Sequence, residues 1–387
     1  MKNKFFQPLV IALLASVLFT GYMVWSAIVV RDFYVFVHSR GNSDLKPGTG
    51  KTYDEINLQK GIDQAQQQGR ELHTFGNEYF TTIGVAIDDY LPQLIWEGGG
   101  IYLTDIDGGT NALIRSKTTP TDNGDANIRV ERHPVFRNIN LKGGSGNIGI
   151  DIGPSYGAVY ENIRGRNLKS IIHTRFGLMS QADNIFSTYC DNIITFGIGN
   201  WTGATWSNSQ SNSSIATNIR GYFGTSTGTA IKIEHSSGII LNNIIIEGGS
   251  VNKGIEMYAP NNTVVKDLTI RNLHFECVNG ANTAVIYARW AAGIITLDKA
   301  FGQYASILAD VASTPGYTQV TISNIPYWVL KNGKGFNNGG NTSWKFINCD
   351  NPLFGDQPLS LFTGIAVKNG CNTGGGPNQV CINPINR

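Results

Sequence analysis

Between residues 228 and 276, short β-branched segments alternate with polar turns, and the same apolar spacing comes round again at a fixed interval. Ala230-Ile231-Lys232-Ile233 is matched by Gly254-Ile255-Glu256-Met257, and Asn243-Ile244-Ile245-Ile246-Glu247 by Asp267-Leu268-Thr269-Ile270-Arg271. Two different strands repeating at one interval predict an all-β parallel solenoid, in which each coil lays its strands on those of the coil before it. Upstream the pattern persists: Asn138, Asn162, Asn184, Asn218 and Asn243 each precede an Ile, at intervals of 24, 22, 34 and 25. The longest interval holds an insertion over 199–214. Asn162, Asn184, Asn218 and Asn243, followed by Asp267, are expected to stack at one corner, because Asx side chains bond the backbone of tight turns. At ~24 residues per coil the pattern predicts about ten coils, a rod of about 50 Å at ~4.8 Å per coil.

The ends of the chain read differently. Residues 8–30 form one uncharged apolar run behind Lys2 and Lys4. At ~1.5 Å per residue it reaches ~35 Å, enough to cross a bilayer core of roughly 30 Å and long for a signal-peptide core. The expectation is a membrane anchor over 1–30 with its N-terminus inside, or a signal peptide if the run is cleaved. Residues 31–51 read as a linker, and 52–68 as an amphipathic helix that Gly69 stops, with Ile56, Leu58, Ile62 and Ala65 on its apolar side. Such a helix would cover the open end of a solenoid, where apolar core and unpaired backbone are otherwise exposed. Residues 52–100 thus hold the cap and first coils, 101–350 the main solenoid, and 351–387 an irregular tail. Past Trp290 the register loosens, with a strand and a short helix expected over 294–309. Cys371 and Cys381 enclose a Gly- and Asn-rich loop and are a candidate disulfide, whereas Cys190 and Cys277, in or beside strand patterns, read as buried thiols.

The opening of the body also carries a resemblance. A helix ending in Gly, then a short Tyr/Phe strand, then Leu94-Ile95-Trp96-Glu97-Gly98-Gly99-Gly100, resembles the first coils of pectate-lyase-like proteins and phage tailspike depolymerases. That resemblance, over roughly 52–350, implies a single-stranded right-handed parallel β-helix, a polysaccharide partner and, from the tailspikes, a homotrimer. It implies no particular reaction. The Asn-Thr-Asp, Gly-His-Gly and Arg-Ile-Lys signatures of polygalacturonases do not occur in that arrangement, and Asp88-Asp89 lies ahead of the main coils. The aspartate cluster by which pectate lyases hold calcium is not evident, so no cofactor or metal is expected.

Charge narrows the partner. Lys and Arg number 30 against 28 Asp and Glu, and two of the lysines lie before the apolar run. A formally neutral body has no reason to seek nucleic acid, whose phosphates call for a basic face.

Strand alternation then sorts the polar residues. In 162–166 Ile163 points inward, so Arg164 and Arg166 point out; the same register sends Arg220, Tyr222, Glu247 and Arg271 outward. Tyr222, Glu247 and Arg271 are expected to form one file, with a Glu247–Arg271 ion pair as its plainest content. Lys232, Glu234, Glu256 and Tyr258 form a second, with Lys232 against Glu256 and with Asp151, His173 and Arg175 further up. Glu234, Glu247, Glu256, Glu276 and His274, with His235 nearby, are the candidate catalytic groups. Paired carboxylates on neighbouring coils suit glycoside hydrolysis, and a base beside a cation suits elimination from a uronate. Candidate substrate contacts are Tyr222, Lys232, Tyr258, Arg271 and, in the insertion, Trp201 and Trp206, whose rings either pack on the rod or offer flat faces to sugars. Hydrolysis, elimination and attachment to a glycan without cleavage all remain open, with the body outside the cytoplasm on a cell surface or virion.

Overall fold

The computed structural model describes residues 15–21, 23, 33–88, 91, 93–117, 133–153, 155–197, 210–224, 228–258, 265–277, 284–289, 291–325, 328–347, 366–369 and 379–383. They form a right-handed parallel β-solenoid. Each turn has a long strand bent near its middle and a shorter strand after it, as in Val135–Lys142 followed by Ile148–Ile152. Eight such turns run from Glu71–Phe75 to Ala284–Arg289, and Ala291–Ser323 and Trp328–Ile347 continue the stack.

The bend has one cause repeated. Asn138, Asn162, Asn184, Asn218, Asn243, Asn272, Lys299 and Asn324 all have φ between 53° and 57°. Asn enters this left-handed region more readily than other residues with a Cβ. The side chains then bond each other along the rod. Asn162 Nδ2 donates to Asn138 Oδ1 at 3.0 Å, Asn184 Nδ2 to Asn162 Oδ1 at 2.6 Å, and Asn243 Nδ2 to Asn218 Oδ1 at 2.6 Å. Across the inserted coil Asn218 Nδ2 turns instead to Asp183 Oδ1, 2.8 Å away. The expected corner stack is therefore present, with one substitution. Its next member after Asn243 is Asn272, because Ile244 lies against Leu273, whereas Asp267 falls opposite Gly238, at an earlier corner.

On either side of each bend every second side chain enters the core. Ile139, Ile163, Ile185, Ile219 and Ile244 are fully buried in one file. Each such side chain contributes roughly 1.5–3 kcal/mol by leaving water. Phe136 and Tyr160 stack at 5.8 Å near the top of the same core.

The capping helix is Tyr53–Gln68. Thr52 caps it by accepting from Glu55 N–H at 3.0 Å, and Gly69, at φ 62°, ends it. Leu58, Ile62 and Ala65 are buried as expected, while Ile56 is only half-buried. Within the stretch read as a linker, Tyr34–His38 is a strand parallel to Glu71–Phe75, with Val35 and Val37 buried. The helix crosses this strand so closely that a Cβ on Gly61 would collide with Val37 Cγ2.

Three further expectations change. Residues 294–309 hold no helix and belong to the strand Ala291–Ser323. The tail contributes strands Ala366–Asn369 and Gln379–Asn383, the latter paired with the strand that contains Trp344. Most of the apolar run 8–30 lies outside the described residues; 15–21 and Met23 are helical, and no helix among the described residues is long and apolar enough to cross a membrane. The expected anchor thus falls mainly on residues outside those described. Cys190 and Cys277 are buried free thiols, whereas Cys371, the expected partner of Cys381, lies outside the described residues.

The ladder makes a measurable claim. Asn162 both donates and accepts in it, so Asn162→Ala loses two side-chain bonds and places Ala in a conformation it disfavours by roughly 1–2 kcal/mol. Urea unfolding should show a loss of about 2–3 kcal/mol for Asn162→Ala and a smaller loss for Asn162→Gly, which relieves the backbone alone. Equal losses for the two variants would contradict the account.

Candidate functional site

The two residues that face outward after each bend are set by alternation from the left-handed position. After Asn243, Ile244 and Ile246 are buried, leaving Ile245 and Glu247 outside. After Asn272, Leu273 and Phe275 are buried, leaving His274 and Glu276 outside. Register puts Ile245 beside His274 and Glu247 beside Glu276. The imidazole lies between the two carboxylates: His274 Nε2 is 3.4 Å from Glu247 Oε1 and 3.5 Å from Glu276 Oε2. The carboxylates are 48% and 36% exposed, and Nε2 itself is shielded from solvent without a well-aligned hydrogen bond.

Around this cluster the face is aromatic. Tyr222 is the register partner of Glu247 on the preceding coil, and the edge of Tyr189 meets its ring at 5.7 Å. Phe301, from the following coil, lies 5.3 Å from the His274 ring. Ile245, Leu273, His274, Ala300 and Phe301 border a shallow dip of about 420 Å³. Beneath the carboxylates Cys277 is buried, and that burial, with the charges of Glu247 and Glu276, pushes its thiol up to about 12.

Four of the expected site residues are thus together: Glu247, His274, Glu276 and Tyr222. Arg271 is not among them. It pairs in register with Asn242 and Asp298, because the bend at Asn272 separates it from His274 and turns it onto the preceding face. The expected Glu247–Arg271 ion pair is accordingly absent, and Glu247 lies against the His274 ring instead.

The shorter strands carry the second file, in the order Asp151, His173, Thr195, Lys232, Glu256 and Tyr287. Lys232 does lie beside Glu256, but the carboxylate of Glu256 is taken by Lys253 of its own strand and by Thr229 Oγ1 at 3.1 Å. Glu234 follows the strand and anchors its N–H on Phe196 O at 2.8 Å. Tyr258 is exposed opposite Arg289, and His235 is fully buried. Glu234, Glu256, Lys232 and Tyr258 therefore occupy a different face from Glu247 and Glu276. Trp201 and Trp206 lie outside the described residues. Among those residues no three His, Cys, Asp or Glu side chains converge as a metal site.

Two charges on the second face are shifted. Asp151 is raised by burial against the opposing pull of Arg175, whose Nε is 2.8 Å away. His173 is held neutral, its pKa pushed down to about 3 by burial and by Lys169, Lys232 and Arg175.

Sequence reasoning identified Arg164, Arg166 and Arg220 as outward but missed Tyr102, Lys142, Phe186 and Phe301 on the same face. The signal was present for Phe186: in Asp183-Asn184-Ile185-Phe186 it follows the inward Ile as Arg164 and Arg220 do on their coils.

No family model and no curated protein matches the chain. Solved structures do match its fold. The gp42 tailspike of Acinetobacter phage vb_AbaP_AS12 is 11% identical with a TM-score of 0.52, over 90% of this chain and 61% of that one. The tailspike of Acinetobacter phage vB_ApiP_P1 is 8% identical at 0.48, over 76% and 58%. A polygalacturonase from Erwinia carotovora is 11% identical at 0.39, over 82% and 92%. The chain thus spans less than two thirds of either tailspike. The fold is a right-handed parallel β-helix, as in the gp42 tailspike.

The state of His173 predicts the pH dependence of stability. With a folded pKa near 3 and an ordinary value near 6.5, the unfolded chain takes up a proton that the folded chain refuses. Stability is therefore unaffected by this group above about pH 6.5 and falls as pH drops toward 3, with a limiting slope of about 1.4 kcal/mol per pH unit. Unfolding titrations of His173→Gln should show a shallower acid decline than the parent; superimposable profiles would show that the imidazole is not held neutral.

Proposed function

We propose that the protein binds a polysaccharide along the face that follows the asparagine corner and cleaves it at Glu247 and Glu276. The observation that carries this reading is the pairing of two carboxylates from adjacent coils across one imidazole. Glycoside hydrolysis needs one carboxyl protonated, to give its proton to the leaving oxygen, and one ionised, to act as nucleophile or to activate water. Neighbouring strands, ~4.8 Å apart, bring such groups within the roughly 5–9.5 Å that the two stereochemical routes require. His274 would hold both carboxylates in place and, when protonated, balance their charge. Tyr222 and Phe301, on either side, would seat sugar rings.

Attachment without cleavage is the second reading, favoured by the exposure of both carboxylates, since catalytic acids are commonly buried. Either reading requires a body outside the cytoplasm, as in a virion or cell-surface spike. The trimer implied by tailspike resemblance is part of the proposal and would be excluded by a monomeric mass in solution.

The test is incubation with a panel of neutral and acidic polysaccharides. New reducing ends report hydrolysis, and absorbance of an unsaturated uronide reports elimination. Glu247→Gln and Glu276→Gln should each lower the rate by about 10²–10⁴ with the melting temperature preserved. Cleavage unaffected by both substitutions would place the chemistry elsewhere, and retention of a polymer without products would favour attachment.

A further inference from the structure

Toward the capped end of the same face, beyond the carboxylate cluster, the outward residues change character. One file runs Tyr102, Asn140, Arg164, Phe186, Arg220, and the file beside it contains Lys142, Arg166, Thr188 and Tyr222. A groove of about 450 Å³ lies over Tyr102, Lys142, Arg164, Arg166 and Phe186. It adjoins a second depression of about 690 Å³ that extends across Asn138, Asn162 and Asn184 to Arg220.

The cations here are set against each other. Lys142 and Arg166 are direct register partners on adjacent coils, and Arg164 is separated from Arg220 by the single side chain of Phe186. All four are exposed, and none takes part in an ion pair among the described residues. Glu78 is the one carboxylate lining the groove, and it accepts a hydrogen bond from Thr104 Oγ1 at 2.5 Å. Like charges directly opposite in a sheet are destabilising, so packing does not account for the arrangement. An anion in the groove does. Tyr102 and Phe186, 50% and 40% exposed, add flat apolar surfaces among the cations.

We infer that this groove is the binding site for an acidic polysaccharide whose carboxylates meet Arg164, Arg166, Lys142 and Arg220 while its sugar rings lie on Tyr102 and Phe186. Guanidinium groups present a planar fork that matches a carboxylate, and aromatic faces accept the apolar side of a sugar ring. The coil spacing of ~4.8 Å is comparable to the length of one sugar unit, so successive coils can read successive sugars. The chain would then run along the rod, its acidic part held here and its scissile bond carried to Glu247 and Glu276. This inference rests on the proposed polysaccharide function and assigns its substrate class.

The experiment uses the full chain over immobilised hyaluronan, alginate and xanthan, which carry carboxylates, and over neutral dextran and galactomannan. Retention on at least one acidic polymer and not on the neutral ones is expected, weakening more than about tenfold between roughly 0.05 and 0.5 M NaCl as screening shortens. The double variant Arg164→Gln/Arg166→Gln should lose at least tenfold in affinity, whereas Arg137→Gln, on a different face and paired with Glu161, should not. The double variant should melt no lower than the parent, since it relieves repulsion, and this separates lost binding from lost folding. Equal retention on neutral polymers, or unchanged binding by the double variant, overturns the acidic groove and leaves the polysaccharide function standing. Absence of retention on every polymer overturns both. Dextran sulfate is the further arm: preference for it over all the carboxylated polymers would overturn the assignment to carboxylates.

Discussion

Everything in this molecule depends on one corner being repeated in register. A left-handed residue at the same place in each coil bends the long strand, and an Asn there can both adopt the conformation and bond its equivalent on the next coil. The bend fixes which of the following side chains are buried, since alternation restarts from it. Stacked coils stabilise one another mainly through nearest-neighbour contacts, so a slipped corner would expose a file of Ile and bury a file of charges.

The same constraint leaves the rest of the coil free. The interval from Asn184 to Asn218 is half as long again as that from Asn162 to Asn184, yet Ile185 still lies on Ile219 across it. The extra residues are accommodated between Phe196, at the end of one short strand, and Ile215, at the start of the next long one. Outward positions are equally unconstrained by the core, which lets one face carry basic residues at one end and acidic residues at the other.

How much of this was legible follows from the same physics. The repeat of Ile231 at Ile255 and the run of Asn-Ile pairs from Asn138 to Asn243 made the solenoid and its inward residues readable, because burial and the left-handed turn both restrict residue type. The cluster around His274 was only half readable. Asp267-Leu268-Thr269-Ile270 and Asn272-Leu273-His274-Phe275 are both an Asx residue followed by alternating apolar positions, and both Asx residues are left-handed. Periodicity cannot choose between them; the pairing of Leu273 with Ile244 can, and it moves Arg271 off the face while bringing His274 onto it. The strand Tyr34–His38 was missed for a different reason: it follows an apolar run and precedes a polar turn, so its own alternation was too short to stand out.

Several charged groups of the rod are explained by their partners. Asp151 has Arg175, Glu256 has Lys253, and Asp310 has Arg289. Each is an opposite-charge contact that a structural role suffices to explain. Glu161 and Asp183 are also register partners, but Arg137 meets the first and Asn218 Nδ2 donates to the second. Glu247 and Glu276 differ, because the group between them is an imidazole, a cation only when protonated. Lys142 and Arg166 present the inverse arrangement four coils away. A solenoid has many outward positions and little reason to repeat a charge on consecutive coils, since each repetition costs stability. Two such repetitions of opposite sign on one face, with exposed aromatic rings between them, are therefore better understood as the two ends of a single binding surface than as two unrelated imperfections.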